Sequence, residues 1–234
     1  MKPLDYFYDS PASGEGHFPQ KFRICFLALV RLVFTPLFRY KAYGLEVLDA
    51  LPKGTGFIVV GNHRSYLDPV FVMSVLKPRV IRFLAKEEFT SALPALARIV
   101  AWVGAFPVKR NTADMSAIKR AVRMLKRGEP VGIFPEGTRI RSEGQVPVYH
   151  EGAALVAQLA KAPVIPVRLW NTERICPPGK RLFRCPKVTL RFGEPLSLDE
   201  ERFAALPKNE RHAAFTQAVM ERVYGMEFPP ERVD

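Results

Sequence analysis

The stretch Phe57-Ile58-Val59-Val60-Gly61-Asn62-His63-Arg64-Ser65-Tyr66-Leu67-Asp68-Pro69 holds the reading of this chain. Its head, 57–60, is a short unbroken apolar run, the mark of a strand covered on both faces rather than on one. A polar turn follows, and then Asp68-Pro69 opens a helix, with Pro suited to the first helical position and Asp to the cap before it. A buried strand feeding a helix through a polar turn is the unit of a parallel sheet.

The same alternation continues downstream. The pattern predicts a helix over 70–76, a strand over 80–85, a helix rich in small residues over 93–103 and a short strand over 106–108. Helix 115–126 is the clearest, with Ile118, Ala121, Val122 and Leu125 on one face, Lys119, Arg123, Lys126 and Arg127 on the other, and Gly128 as its stop. Strand 131–134, helix 152–161, strands 164–167 and 188–192 and a helix over 209–224 complete the pass. The expected fold is α/β: a single domain with a mixed, mostly parallel β-sheet and helices on both faces, occupying 43–234. Residues 1–20 and the Pro-rich, basic stretch 171–187 read as irregular.

Upstream lies the longest apolar stretch, 24–38. Its 15 residues would reach roughly 22 Å as a helix, short of the ~30 Å hydrocarbon core of a bilayer. Arg31, Thr35 and Arg39 form one polar stripe, while Phe26, Leu27, Val30, Val33, Phe34 and Leu37 cover the rest. Two readings are open: a helix packed on the core with its arginines solvated, or an amphipathic membrane-associating segment lying in a lipid interface. The flanking Lys21, Arg23, Arg39 and Lys41 favour an anionic membrane surface, so residues 1–42 are set apart as an N-terminal segment carrying an interfacial helix. The run starts too late, and lacks the small-residue pattern after it, for a cleavable signal peptide.

The 234 residues are 48% hydrophobic and 25% charged, enough for one globular domain with its own core. Lys and Arg number 35 against 23 Asp and Glu, a net +12 that calls for an anionic partner such as nucleic acid, anionic lipid or a phosphorylated metabolite. The basic residues are spread over many elements without a nucleic-acid-binding motif, so no nucleic-acid partner is expected. Cys25, Cys176 and Cys185 make no C-x-x-C, which argues against a disulfide framework and a zinc ribbon and for a reducing compartment. No cluster with metal-ligand spacing is visible, and no metal is expected.

In an open α/β sheet, ligands collect at the carboxyl ends of strands. At the first such end, His63 reads either as a turn residue bonded to backbone or as a base, and Asp68 either as a plain helix cap or as the group that accepts from one ring nitrogen and leaves the other free. Ser65 lies in the same turn, but the G-x-S-x-G elbow that exposes a serine nucleophile is absent, so the pair would act on a substrate hydroxyl directly. At a second strand end, Phe134-Pro135-Glu136-Gly137-Thr138-Arg139, Gly137 lets backbone approach a ligand, Arg139 can grip a phosphate and Glu136 can hold an arginine or a hydroxyl; an ordinary turn with a surface ion pair is the alternative. Lys86 and Lys109-Arg110 lie at two further strand ends, and cations from separate strand ends can converge on one phosphate.

These blocks carry a resemblance. His63 to Asp68 as H-x4-D, Gly104-Ala105-Phe106-Pro107-Val108-Lys109-Arg110, Phe134 to Arg139 as F-P-E-G-T-R, and Val164-Ile165-Pro166-Val167 follow the order of the glycerolipid acyltransferase superfamily, whose bacterial members include 1-acyl-glycerol-3-phosphate acyltransferases. The similarity spans 57–167, and Pro107 stands where many relatives carry an aliphatic residue. The resemblance implies His63 as general base and Asp68 as its partner, Lys86, Arg110 and Arg139 as phosphate-binding cations, and Glu136 and Gly137 as shaping the acceptor site. It implies an O-acyltransferase of phospholipid biosynthesis with no cofactor, taking an acyl thioester of coenzyme A or acyl carrier protein and a lysophosphatidate acceptor. The protein would then be membrane-associated at the cytoplasmic face, as a peripheral or monotopic enzyme. Donor amides for the oxyanion are expected in the His63 turn. A different lysophospholipid or hydroxyl acceptor, and a thioesterase using the same pair on water, are the alternatives.

Overall fold

The computed structural model describes residues 4–11, 18–75, 80–86, 94–108, 114–139, 147–177 and 183–229. In chain order the elements are α1 (Leu4–Asp9), α2 (Phe18–Leu37), β1 (Lys41–Tyr43), α3 (Glu46–Asp49), β2 (Ile58–Gly61), α4 (Asp68–Val75), β3 (Arg82–Lys86), α5 (Pro94–Val103) and β4 (Phe106–Val108). They continue as α6 (Met115–Lys126), β5 (Val131–Ile133), α7 (Gly152–Ala160), β6 (Val164–Trp170), a 3-10 turn (Thr172–Arg174), β7 (Thr189–Phe192), α8 (Glu201–Ala204) and α9 (Lys208–Gly225).

The strands form one seven-stranded sheet in the order β1-β7-β6-β2-β5-β3-β4. Every neighbouring pair is parallel except β6 with β7, so the sheet is mixed and mostly parallel, as the apolar runs implied. Side chains alternate across it. Ile58 and Val60 of β2 join a core with α6, α7 and α9, whereas Phe57 and Val59 face a second core built with α2, α3 and α4. Helices therefore cover both faces, and the strand at the centre, β2, is the one that runs into His63. Pro107 sits in the edge strand β4, where an absent backbone N–H is tolerated.

Several local expectations change. Residues 4–9 are helical rather than irregular, because the C-terminal turn of α1 is clasped from elsewhere. The buried Arg82 guanidinium of β3 donates to the carbonyls of Phe7, Tyr8 and Ser10, and Asp9 takes Arg120 and Arg123 of α6 at 3.0 and 2.6 Å. Strand β1 was not anticipated, and it straddles position 42 to pair with β7. Within 171–187 the chain is partly interior: Thr172 and Ile175 are buried, and Asn171 Nδ2 closes the loop on the Lys187 carbonyl at 2.9 Å.

The largest change concerns α2. Leu27 and Val30 are buried, with Phe26 and Phe34 half-buried against the α4 side of the core, where Phe34 meets Phe38 and Phe71. The residues expected to form a lipid-facing surface thus split. The outward face consists of Ile24, Leu29, Leu32, Val33 and Leu37, with Leu32 73% and Leu29 59% exposed. From Phe22 onward, apart from Arg31 and Thr35 at one edge, α2 is largely apolar on the side away from the protein as well. No described helix is long and apolar enough to cross a membrane.

Candidate active site

The carboxyl ends of β2 and β5 lie side by side, paired Val60 to Ile133, and the loops leaving them build the site. Both flanks of β2 are closed by side chains that imitate backbone. Asn62 continues the ladder to β6 with its amide, donating from Nδ2 to the Leu169 carbonyl at 2.9 Å and accepting the Leu169 N–H at 2.8 Å. On the other flank, the carboxylate of Glu136 accepts the His63 N–H at 2.8 Å. The strand can therefore end without leaving buried donors unmet.

The turn between His63 and Asp68 is organised by one carboxylate oxygen. Asp68 Oδ2 accepts from Arg64 N at 2.7 Å and Ser65 N at 2.6 Å and lies 2.9 Å from His63 Nδ1. Rather than capping α4 from in front, the Asp68 carboxylate turns back over the residues before it. Asp68 is fully buried while the His63 side chain keeps 13% exposure. With Nδ1–H given to the carboxylate, Nε2 is the nitrogen left to meet a substrate, and no described residue bonds it. The imidazole is also held on its face: it stacks on Phe134 at 4.4 Å between centroids, and Phe134 stacks on Phe83 at 5.4 Å.

The second strand end is less open than its sequence suggests. Glu136 is 3% exposed, and its other oxygen, Oε1, accepts from the hydroxyl of Tyr224 at the end of α9. Burial holds the Glu136 carboxyl above the usual carboxylate range, against the opposing pull of the Tyr224 hydroxyl, the His63 amide and the His63 and Arg64 charges. Gly137 takes a positive φ of 61°, and a Cβ there would meet His150 Cδ2 at 2.7 Å. The Arg139 guanidinium lies 3.3 Å over the centre of the Tyr66 ring, so a residue of the His63 turn holds a cation from the β5 loop. Lys86 ends β3, beside β5, with its side chain outside the described residues; Lys109 and Arg110 lie wholly outside them.

The expected oxyanion donors of the His63 turn are narrowed by this geometry. The amides of His63, Arg64 and Ser65 are all bonded to the Glu136 and Asp68 carboxylates. The sequence patterns assign no role to Asn62, Phe83, Tyr66 or Tyr224, which the structure brings to the site. An amide directly after a buried strand was a readable signal for Asn62; nothing local marks Tyr224.

Dyad, strand-end loops and sheet together define a class. A family model described as Acyltransferase matches residues 43–170, and the chain belongs to the acyltransferase family. Among its relatives, the 1-acyl-sn-glycerol-3-phosphate acyltransferase of Bacillus subtilis (strain 168) is 36% identical over 76% of this chain and 85% of its own length. The Streptococcus pneumoniae protein of the same name is 31% identical over 65% of this chain and 54% of its own. The crystal structure of the 1-acyl-sn-glycerophosphate acyltransferase PlsC from Thermotoga maritima shares the fold, with a TM-score of 0.65 over 92% of this chain and 86% of that one, at 23% identity.

Proposed function

We propose that the protein transfers a fatty acyl group from an acyl thioester, of coenzyme A or acyl carrier protein, to the free hydroxyl of 1-acyl-glycerol-3-phosphate, giving phosphatidate. The carrying observation is the buried Asp68 carboxylate on His63 Nδ1, which leaves Nε2, bonded by no described residue, just past the carboxyl end of β2. His63 Nε2 takes the hydroxyl proton as the oxygen attacks the thioester carbonyl carbon, and Asp68 balances the imidazolium. The tetrahedral intermediate collapses, the C–S bond breaks, and the leaving sulfur receives the proton from His63. No acyl-enzyme is needed.

Arg139, with Lys86 and Arg110 at the matching family positions, takes the acceptor phosphate, and Gly137 lets the backbone approach it. Arg139→Ala therefore raises the acceptor KM far more than the donor KM; an unchanged acceptor KM removes the clamp assignment. The apolar outer face of α2, flanked by exposed Lys21, Arg31, Arg39 and Lys41, supports a peripheral or monotopic seat on an anionic cytoplasmic leaflet. The deciding assay follows thiol release from acyl-coenzyme A with and without lysophosphatidate, beside His63→Ala. Release that needs both acceptor and His63, with phosphatidate formed, is expected; release without acceptor identifies a thioesterase, and full activity of His63→Ala refutes the base.

A further inference from the structure

We propose that Tyr224 is a positioning residue for this reaction: from the C-terminal end of α9 it locks Glu136, and through Glu136 it fixes the backbone of His63. The inference rests on His63 being the base.

The chain of contacts is continuous. Val219, Met220 and Val223 bury α9 against the sheet. Its last turn is tied to β6 by Arg168, whose guanidinium donates to the carbonyls of Val223 and Tyr224 and lies 5.2 Å from the Tyr224 ring centre. From that anchored end the Tyr224 hydroxyl donates to Glu136 Oε1, and Glu136 Oε2 receives the His63 N–H at 2.8 Å. A carboxylate with a donor on each oxygen, in a side chain only 3% exposed, presents little surface to an acceptor hydroxyl or a phosphate-bound cation. Its geometry suits a strut.

The strut acts where the other restraints do not. Asp68 and Phe134 orient the imidazole ring, Asn62 ties the chain before it to β6 and Asp68 holds the Arg64 and Ser65 amides after it, while the His63 N–H between them goes to Glu136. The Glu136 carboxylate is the bond that continues β2–β5 pairing to the position of the base. Displacements of the order of 1 Å in a catalytic group cost about 10²-fold in rate, so backbone restraint here reaches kcat.

The charged and titratable groups around Glu136 are His63 and Arg64 from the β2 loop, Tyr149 before α7, and Tyr224 on α9; Glu221 faces Tyr149, and His150 covers Gly137. Burial already disfavours the Glu136 anion, and removing the Tyr224 hydroxyl takes away one of its two donors. The carboxyl then gains a proton at a higher pH and becomes a poorer acceptor for the His63 amide. The acid limb of activity moves up.

The test compares wild type, Tyr224→Phe, Glu136→Gln, the double variant and His63→Ala in thiol release with acyl-coenzyme A and lysophosphatidate across pH. Tyr224→Phe keeps the ring, and the expected result is a kcat about tenfold lower with acceptor KM within about twofold, and an acid limb raised by about half a pH unit or more. On the Glu136→Gln background the same substitution adds nothing. In wild type, the His63 amide proton followed by NMR moves in a pH step that Glu136→Gln abolishes. A raised acceptor KM at constant kcat would overturn the proposal by making Glu136 a substrate contact. So would an unmoved limb and kcat in Tyr224→Phe, or a His63 amide that ignores Glu136. An active His63→Ala would instead strike at the base itself.

Discussion

Substituting Gly132 by Ala tests how far the imidazole depends on packing behind it. Gly132 of β5 pairs directly with Phe83 of β3, and the ring lies over the glycine. A Cβ built there falls 2.2, 2.4 and 2.6 Å from Cε1, Cζ and Cδ1 of Phe83, against 3.4 Å for ordinary contact, so the ring must retreat by more than ~1 Å. Phe83 is 3% exposed and stacks on Phe134, which stacks on His63, so a ring that retreats disturbs a stack that ends at the imidazole. Overpacking of this kind costs about 1–3 kcal/mol, which for a chain of this size lowers Tm by roughly 2–12 °C. A misplaced imidazole costs about 10²-fold in kcat. Thermal unfolding and steady-state thiol release measure the two effects separately. Phe83→Leu in the Gly132→Ala background relieves the clash and is expected to recover at least about tenfold in kcat. A Gly132→Ala protein that loses Tm but keeps wild-type kcat would refute the claim that the stack transmits to His63.

Asp68→Asn keeps an oxygen for the two backbone amides but removes the charge that balances the imidazolium; kcat should fall by about 10³–10⁴-fold with Tm nearly kept, and a loss under tenfold would refute the charge role. Leu29, Leu32 and Leu37 changed together to Ser should release the protein from anionic vesicles in co-sedimentation without lowering Tm, whereas Ser at Phe26 and Phe34 should lower Tm; vesicle retention by the first variant refutes the lipid-facing assignment. Burial alone would raise the Asp9 carboxyl, but hydrogen bonds and charge from Arg120 and Arg123 outweigh it and hold it below its ordinary 3.8. A depressed carboxyl stabilises above the unfolded pKa and loses that contribution as pH falls through the folded one. The stability gap between wild type and Asp9→Asn should thus be steady at neutral pH and close in strong acid; a pH-independent gap in denaturant melts refutes the pairing.

Apart from β1, the strands of the sheet were readable as short, largely apolar runs bounded by turn residues, and β2 carries that signal without interruption. Their order was not: β5 inserts between β2 and β3, and β7 turns antiparallel, for reasons of packing that no window of sequence contains. Helix α1 escaped because six residues have little helical stability of their own, and the side chains that hold it lie more than seventy positions away. The two faces of α2 were misassigned because both are apolar, so periodicity could not say which one meets the core. At the site, His63 and Asp68 are close in sequence and their meeting could be inferred. The bond from Tyr224 to Glu136 could not be read, because the two lie 88 residues apart.

The placement of β2 also orders assembly in time. It is made early, yet its ladder partners β5 and β6 begin at Val131 and Val164, and β1 must wait for Thr189. Nearly every strand contact is non-local and most are parallel, the topology that folds slowly because loop closure precedes any gain from pairing. During synthesis α2 leaves the ribosome well before α4 and α5 can cover its inner face, so for that interval the helix is bare on both sides. A nascent chain in that condition has two ends to its wait, aggregation or early adsorption on a lipid surface, and the second would shelter the apolar helix until α4 and α5 arrive.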